Sequence, residues 1–473
     1  MKATKIFMMA ALTLMMIACS KDDFTEQPVD NNNKEITITA TLAPKGNDGM
    51  RAVADNGDDK ITVTWAVDEH LAILYTKDGN QMADARITAV DDVTGAATIT
   101  FTVEAGTADD TDCQIVYPLS AAKSDKSGVK AYADMLATQD GVLDGDLDVR
   151  VGAGKIQVTT PGLDVTTQPA AQYSIFKFTI QDLSSTDKTA TQFKVSDNSG
   201  NVITTVTPSS ATGTLYVALP VLATGMYWFN ATIDSKAYIA KATVSTATVA
   251  GKYYQSTVKM ATVGDAILSD GKFATKGTSG QQAVIVNVGT VDKYFNHFLA
   301  IALEDAANKV TWSDAQTAIG TYAGNHPITI GGTTYNNTNA WTSVYDVVSD
   351  NNATTSATAT TLHQGWRMPT VTDWRYLYAG IFGKSPTDPI GVNDGLNYYN
   401  TDSYGEDRFD IRKFVSNNIL KGYIGTGASI YDTWFSSEVT GNDSKAWCFE
   451  PRDTFFDYQE KTINLSVVAV FAY

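Results

Sequence analysis

The sequence predicts a mainly β chain of several domains, with two β-sandwiches followed by an α+β module. Three observations carry this. From Ile36 to about Met260 apolar residues recur with period two, in Val, Ile, Thr and aromatic runs broken by Gly, Asp, Asn and Ser turns. A length of 473 residues exceeds one ordinary core, and a hydrophobic content of 43% is that of a globular chain. Beyond residue 264 the chain becomes richer in Trp, Tyr and Asn, and Pro369-Thr-Val-Thr-Asp-Trp374 reads as a helix start.

Residues 1–18 have a basic start (Lys2, Lys5) and an apolar core from Ile6 to Ala18 that is too short to span a bilayer, as in a secretory leader. Met16-Ile17-Ala18-Cys19 resembles a bacterial lipobox, with Met16 where Leu is usual, which makes Cys19 the expected lipidation site. The other reading is an ordinary secreted protein with an incidental leader cysteine. Acyl chains at about 0.8 kcal/mol per buried CH₂ would hold the protein to a membrane. Ser20-Lys21-Asp22-Asp23 resembles the export tag of surface lipoproteins, and Phe24–Lys34 is a polar tether.

Glu35–Leu42 alternates as a strand, with Ile36, Ile38, Ala40 and Leu42 on one face. Its three large apolar side chains are worth on the order of 5–9 kcal/mol when buried. A Gly/Asp-rich loop carrying Gly49-Met-Arg51-Ala52 follows, and then a second strand, Lys60–Val67. Anchor, strand and protease-sized loop in that order suggest a first strand detachable by cleavage between Arg51 and Ala52. Further alternation marks Ala97–Val103, Tyr173–Ile180 and Thr214–Leu219, with one short helix near Lys130–Ala137. The Gly152–Gly162 stretch reads as a loop between two β domains. The expected division is a leader at 1–18, a propeptide with the detachable strand at 19–51, sandwiches at 52–160 and 161–263, and a module at 264–473 expected to fold alone.

Together, the lipobox leader, the first strand with its Arg51 loop, the Phe176-Lys-Phe178 strand and the Gly251-Lys-Tyr-Tyr254 closing strand resemble the fimbrillin family of lipoprotein pilins. The resemblance spans roughly residues 1–260. It implies two transthyretin-like β-sandwich domains, processing by an arginine-specific protease, and assembly by donor-strand exchange at Ile36, Ile38 and Leu42. Gly365-Trp-Arg-Met-Pro-Thr370 and Thr433-Trp-Phe-Ser-Ser-Glu438 resemble a surface-lipoprotein module with a C-type-lectin-like fold, also seen in formylglycine-generating enzymes. Within that motif Thr370 and Asp373 form a capping box, and Trp366 and Arg367 stand where they would pin the helix to the core.

Other chemistry finds little support. A net charge of −17 argues against a nucleic-acid partner. His70, His297, His326 and His363 show no ligand spacing, so no metal or other cofactor is expected. Asp144, Asp146 and Asp148 alternate like a calcium loop, but Lys155 stands where the bidentate Glu belongs, leaving a solvated acidic turn. Cys113 and Cys448 read as buried apolar residues, and no catalytic constellation appears, so the chain is not expected to be an enzyme. The Asn393–Asp402 loop, rich in Asn and Tyr, is a candidate ligand loop. The apolar final strand, Val467–Tyr473, looks built into its own core.

The leading expectation is a tip or minor pilus subunit and adhesin, made as an outer-membrane lipoprotein precursor. Its partners would be other subunits, joined by strand exchange, and a surface glycan or protein. The alternative is a monomeric glycan-binding surface lipoprotein that keeps its first strand.

Overall fold

A computed structural model describes residues 35–44, 54–55, 61–62, 64–290, 295–336, 349–350, 353–354, 364–382, 433–439, 442–450 and 455–473. The chain is mainly β. The first sheet has seven strands: β1 (Ile36–Leu42), β2 (His70–Thr76), β3 (Asn80–Val90), β4 (Ala97–Val103), β5 (Thr111–Tyr117), β6 (Arg150–Gln157) and β7 (Gly162–Ala171). They lie in the order β1-β4-β3-β2-β5-β6-β7, every pairing antiparallel. The sheet curls until its two edge strands, β1 and β7, come side by side. Its inner face buries Ile38, Leu42, Trp65, Ile73, Ile99 and Phe101.

The Gly152–Gly162 stretch is not a boundary loop. Arg150–Gln157 is a strand, and β7 turns back along it in the same sheet. The glycines are there for close approach. A Cβ on Gly152 would stand 2.6 Å from the Thr167 carbonyl oxygen, and one on Gly154 2.9 Å from that of Asp164. β7 bulges between Val165 and Thr167 and again before Ala170 as it passes them. The acidic turn also differs from expectation. Asp148 is buried and paired with Arg150, whose Nε donates to both carboxylate oxygens at 2.9 and 3.0 Å.

The middle sheet comprises β8 (Ser174–Asp182), β9 (Gln192–Ser196), β10 (Val202–Val206), β11 (Thr214–Leu219), β12 (Gly225–Ile233), β13 (Lys236–Val244) and β14 (Tyr253–Thr262). Their order is β11-β8-β14-β13-β12-β9-β10, and β8 runs parallel to β14. The expected Phe176-Lys-Phe178 and Gly251-Lys-Tyr-Tyr254 segments are therefore neighbours. Thr138–Gln139, from the crossover after β5, adds to this sheet beside β10. There the buried Gln139 amide accepts from Ala218 N at 2.9 Å and donates to Ala218 O at 2.8 Å. Leu71 to Tyr75 are all buried because Leu74 and Ala72 pack outward against Ile175 and Ala218 while Leu71 and Ile73 face the inner core. Helix α1 (Tyr132–Met135) lies in the expected 130–137 stretch.

The third sheet holds β15 (Ala266–Leu268), β16 (Phe273–Ala274), β17 (Gln281–Val288), β18 (Phe298–Val310), β19 (Gly365–Arg367), β20 (Thr433–Val439), β21 (Asn442–Glu450), β22 (Phe455–Glu460) and β23 (Leu465–Ala472). Its order is β16-β15-β17-β18-β23-β20-β21-β22, with β19 also paired to β23. Two helices accompany it, α2 (Trp312–Asn325) and α3 (Val371–Phe382). The capping box forms as expected: Asp373 N donates to Thr370 Oγ1 and Thr370 N to Asp373 Oδ2, both at 2.9 Å.

The core of residues 264–473 runs on into the middle sheet, where it takes in Trp228, Ile239 and Ala261. Trp228 of β12 is fully buried in the same cluster as Ile267, Phe298 and Tyr473. His297 stacks on it with centroids 4.1 Å apart, and Tyr473 lies 5.3 Å away. Asn198 closes the junction, its Oδ1 accepting from Trp228 Nε1 and Tyr473 Oη at 3.2 Å each. Burial lowers the His297 imidazole from 6.5 to about 4, against the opposing pull of the Asn198 carbonyl. The unfolded chain takes up this proton at higher pH than the folded one. The stability His297 contributes is therefore complete above its ordinary value and lost as pH falls from there toward 4. Urea midpoints across that window should fall more steeply for the native chain than for His297→Phe.

Candidate functional site

The edge formed by β1 is the candidate site. Ile36 pairs with Val103, Ile38 with Phe101, Ala40 with Ile99 and Leu42 with Ala97. The period-two pattern turns Ile38, Ala40 and Leu42 inward, where Ile38 and Leu42 are fully buried. Ile36 is only partly buried against the core, so two large side chains rather than three are completely covered. The outward face is threonine on both strands: Thr37, Thr39 and Thr41 lie opposite Thr102, Thr100 and Thr98. The Thr37 and Thr102 hydroxyls are 3.4 Å apart.

One side of β1 is laddered to β4, and the other lies along β7 with no registered strand pairing. Polar contacts from neighbouring segments also reach that end. Ala43 N donates to Gln168 Oε1 at 3.3 Å, and Trp65 Nε1 donates to Ala43 O at 3.2 Å. Sequence reasoning named Ile36, Ile38 and Leu42 but missed Ala43, Trp65 and Gln168, because their proximity depends on the curl of the sheet. Ile36–Leu42 contains no ionisable side chain, so its seating carries no proton linkage of its own. Nearby, burial raises the Tyr75 phenol, whose oxygen accepts from Glu104 N at 3.0 Å.

Cys19, Arg51, Ala52 and the Asn393–Asp402 loop lie outside the described residues. Cys113 and Cys448 are buried and in no disulfide, and burial pushes the Cys113 thiol up to about 12. Such a thiol is inert at neutral pH.

β23 is the opposite of a loose edge. All eight of its residues are buried, with β18 on one side and β19 and β20 on the other. The Tyr473 carbonyl accepts from His297 N at 2.6 Å and from Asn296 N and Phe298 N at 3.1 Å. In the motif that starts α3, Trp366 Nε1 donates to His326 O at 2.7 Å. Arg367 pairs with Asp373 at 2.6 Å, with both side chains buried. These residues hold α3 against β17, where a Cβ on Gly380 would come within 1.9 Å of Val286 O.

No protein-family model matches the chain. No curated protein matches it either. Among solved structures it is similar to a candidate cell adhesion protein from Bacteroides uniformis at 15% identity and TM-score 0.29, covering 50% of this chain and 98% of that one. It is similar to a fimbrial protein from Bacteroides ovatus at 11% identity and TM-score 0.25, covering 93% of this chain and all of that one (100%). A C-terminally truncated tip fimbrial protein from Porphyromonas gingivalis matches at 10% identity and TM-score 0.21, covering 45% of this chain and 82% of that one.

Proposed function

We propose that the chain is a surface pilus subunit, of the tip or minor kind, activated when cleavage after Arg51 frees β1. The observation that carries this reading is β1 itself, an edge strand that fills an apolar groove and precedes the Arg51 segment in the chain. Ile38 and Leu42 contribute roughly 3–6 kcal/mol, and ladder hydrogen bonds add on the order of 1 kcal/mol each. Ordering the strand's seven residues costs about 7–14 kcal/mol. The two sides nearly cancel. Covalent attachment therefore decides whether the strand stays, because a tethered segment rebinds at high effective concentration and a cut one does not.

Once empty, the groove presents unpaired β4 backbone groups above Trp65, Ile99 and Phe101. A partner's strand of alternating apolar residues fits that edge by β-augmentation. Cleavage also removes Cys19 and its lipid, turning a membrane-held precursor into a free subunit at the cell surface. β23 is committed to the middle of its own sheet, which supports an acceptor role and not a donor role for that segment. In this reading the third unit faces outward as an adhesin, and the chain performs no catalysis.

Arg51→Ala tests the reading. The variant should remain full-length and membrane-bound and be absent from purified pili, which should contain a native chain shortened by about fifty residues. A native chain that keeps its first strand on the cell would favour the monomeric glycan-binding lipoprotein instead.

A further inference from the structure

A cleft of ≈ 390 Å³ opens where the middle sheet meets the third unit, lined by Lys241, Lys259, Lys272, Phe273, Thr275 and Thr278. Domain junctions are common places for ligand sites. Three ammonium groups at one cleft run against the chain's net charge of −17. Lys241 is held in place by the junction itself. Its Nζ donates to Gly271 O at 2.6 Å and lies 5.6 and 5.5 Å from the ring centroids of Trp228 and Phe273. Gly271 permits this approach. Its φ is +76°, and a Cβ there would stand 2.2 Å from Thr329 O and 3.1 Å from the Lys241 ammonium.

Among the described residues no carboxylate lies within ion-pair distance of Lys241 or Lys259, while Lys272 pairs with Asp270 at 2.7 Å. An ammonium has three donors, and Lys241 uses one on Gly271. We propose that this cleft binds a carboxylate-bearing sugar, with the carboxylate on the lysine ammoniums, the ring against Phe273 and the hydroxyls toward Thr275 and Thr278. This goes beyond the pilus reading and does not depend on it, since the cleft lies away from β1 and exists before any cleavage.

Isothermal titration of the full chain with glucuronate, glucose and acetate tests the proposal. Glucuronate should bind at least about tenfold more tightly than glucose, which lacks the charge, and more tightly than acetate, which lacks the ring. Lys259→Ala with Lys272→Ala, both at the surface, should keep the fold and weaken glucuronate selectively. Affinity should also decline as pH rises past about 8, where half-buried Lys241 loses its proton. Of the charged groups around it, Asp270 pulls the Lys241 value up against burial and holds Lys272 charged, Lys259 stands on the neighbouring strand, and His297 is neutral in that range. Glucuronate binding no tighter than glucose, or unchanged in the double lysine variant, would overturn the proposal. Neither outcome bears on whether β1 is exchanged.

Discussion

Trp228→Ala should lower stability by about 3–5 kcal/mol, the cost of truncating a large buried aromatic. Trp228 is fully buried and stacked against His297, with Phe298 and Phe273 at 6.2 and 6.4 Å. Removing it leaves a cavity where the middle sheet and the third unit share a core, and it strips Asn198 Oδ1 of a donor. The variant should therefore do more than shift a midpoint. Urea unfolding followed by circular dichroism should split into two transitions, with residues 264–473 opening first and becoming sensitive to limited proteolysis. A single transition at the native midpoint would show that the junction contributes nothing.

Asp373→Ala should cost a similar amount, about 3–5 kcal/mol, by leaving a buried guanidinium without its counter-charge. Asp373 accepts from Arg367 Nη2 at 2.6 Å and Nε at 3.2 Å, and also caps α3 through Thr370 N. Replacing Arg367 by Met together with Asp373→Asn should recover part of the loss, since no unpaired charge then remains buried. Thermal unfolding of the single and double variants measures the difference. If the single variant were as stable as the native chain, Gly365–Thr370 would be free for a ligand role, and its description as a structural clamp would be wrong.

Much of this was legible locally. The alternation of Ile36–Leu42 gave the edge strand, its inward face and its end within a residue. Thr370 and Asp373, three positions apart, gave the start of α3 and its reciprocal cap. Helix α2 was missed although Thr311 and Asp314 carry the same signal, because Gly320 and Gly324 lower its helix propensity and its apolar stripe is weak. Gly152 and Gly154 read as a loop, since glycine marks both a turn and a close approach of backbones; only the partner strand distinguishes the two. Asp148 looked solvated for want of its partner, Arg150, on the same short segment. The shared core around Trp228 joins residues from 198 to 473, and no local pattern reports a contact of that span.

The central claim is that β1 must leave its groove, and a reversible lock on that strand tests it most directly. Thr37 and Thr102 face each other on exposed positions of β1 and β4, so Thr37→Cys with Thr102→Cys should form a disulfide across the pair. Cys113 and Cys448 are buried and Cys19 is the expected lipid attachment site, so the native cysteines should not compete. Oxidised, the variant should be cut after Arg51 yet retain its first strand and stay out of pili; reduced, it should shed the strand and assemble as the native chain does. Assembly of the oxidised, cleaved variant with β1 still in place would contradict strand exchange at this edge.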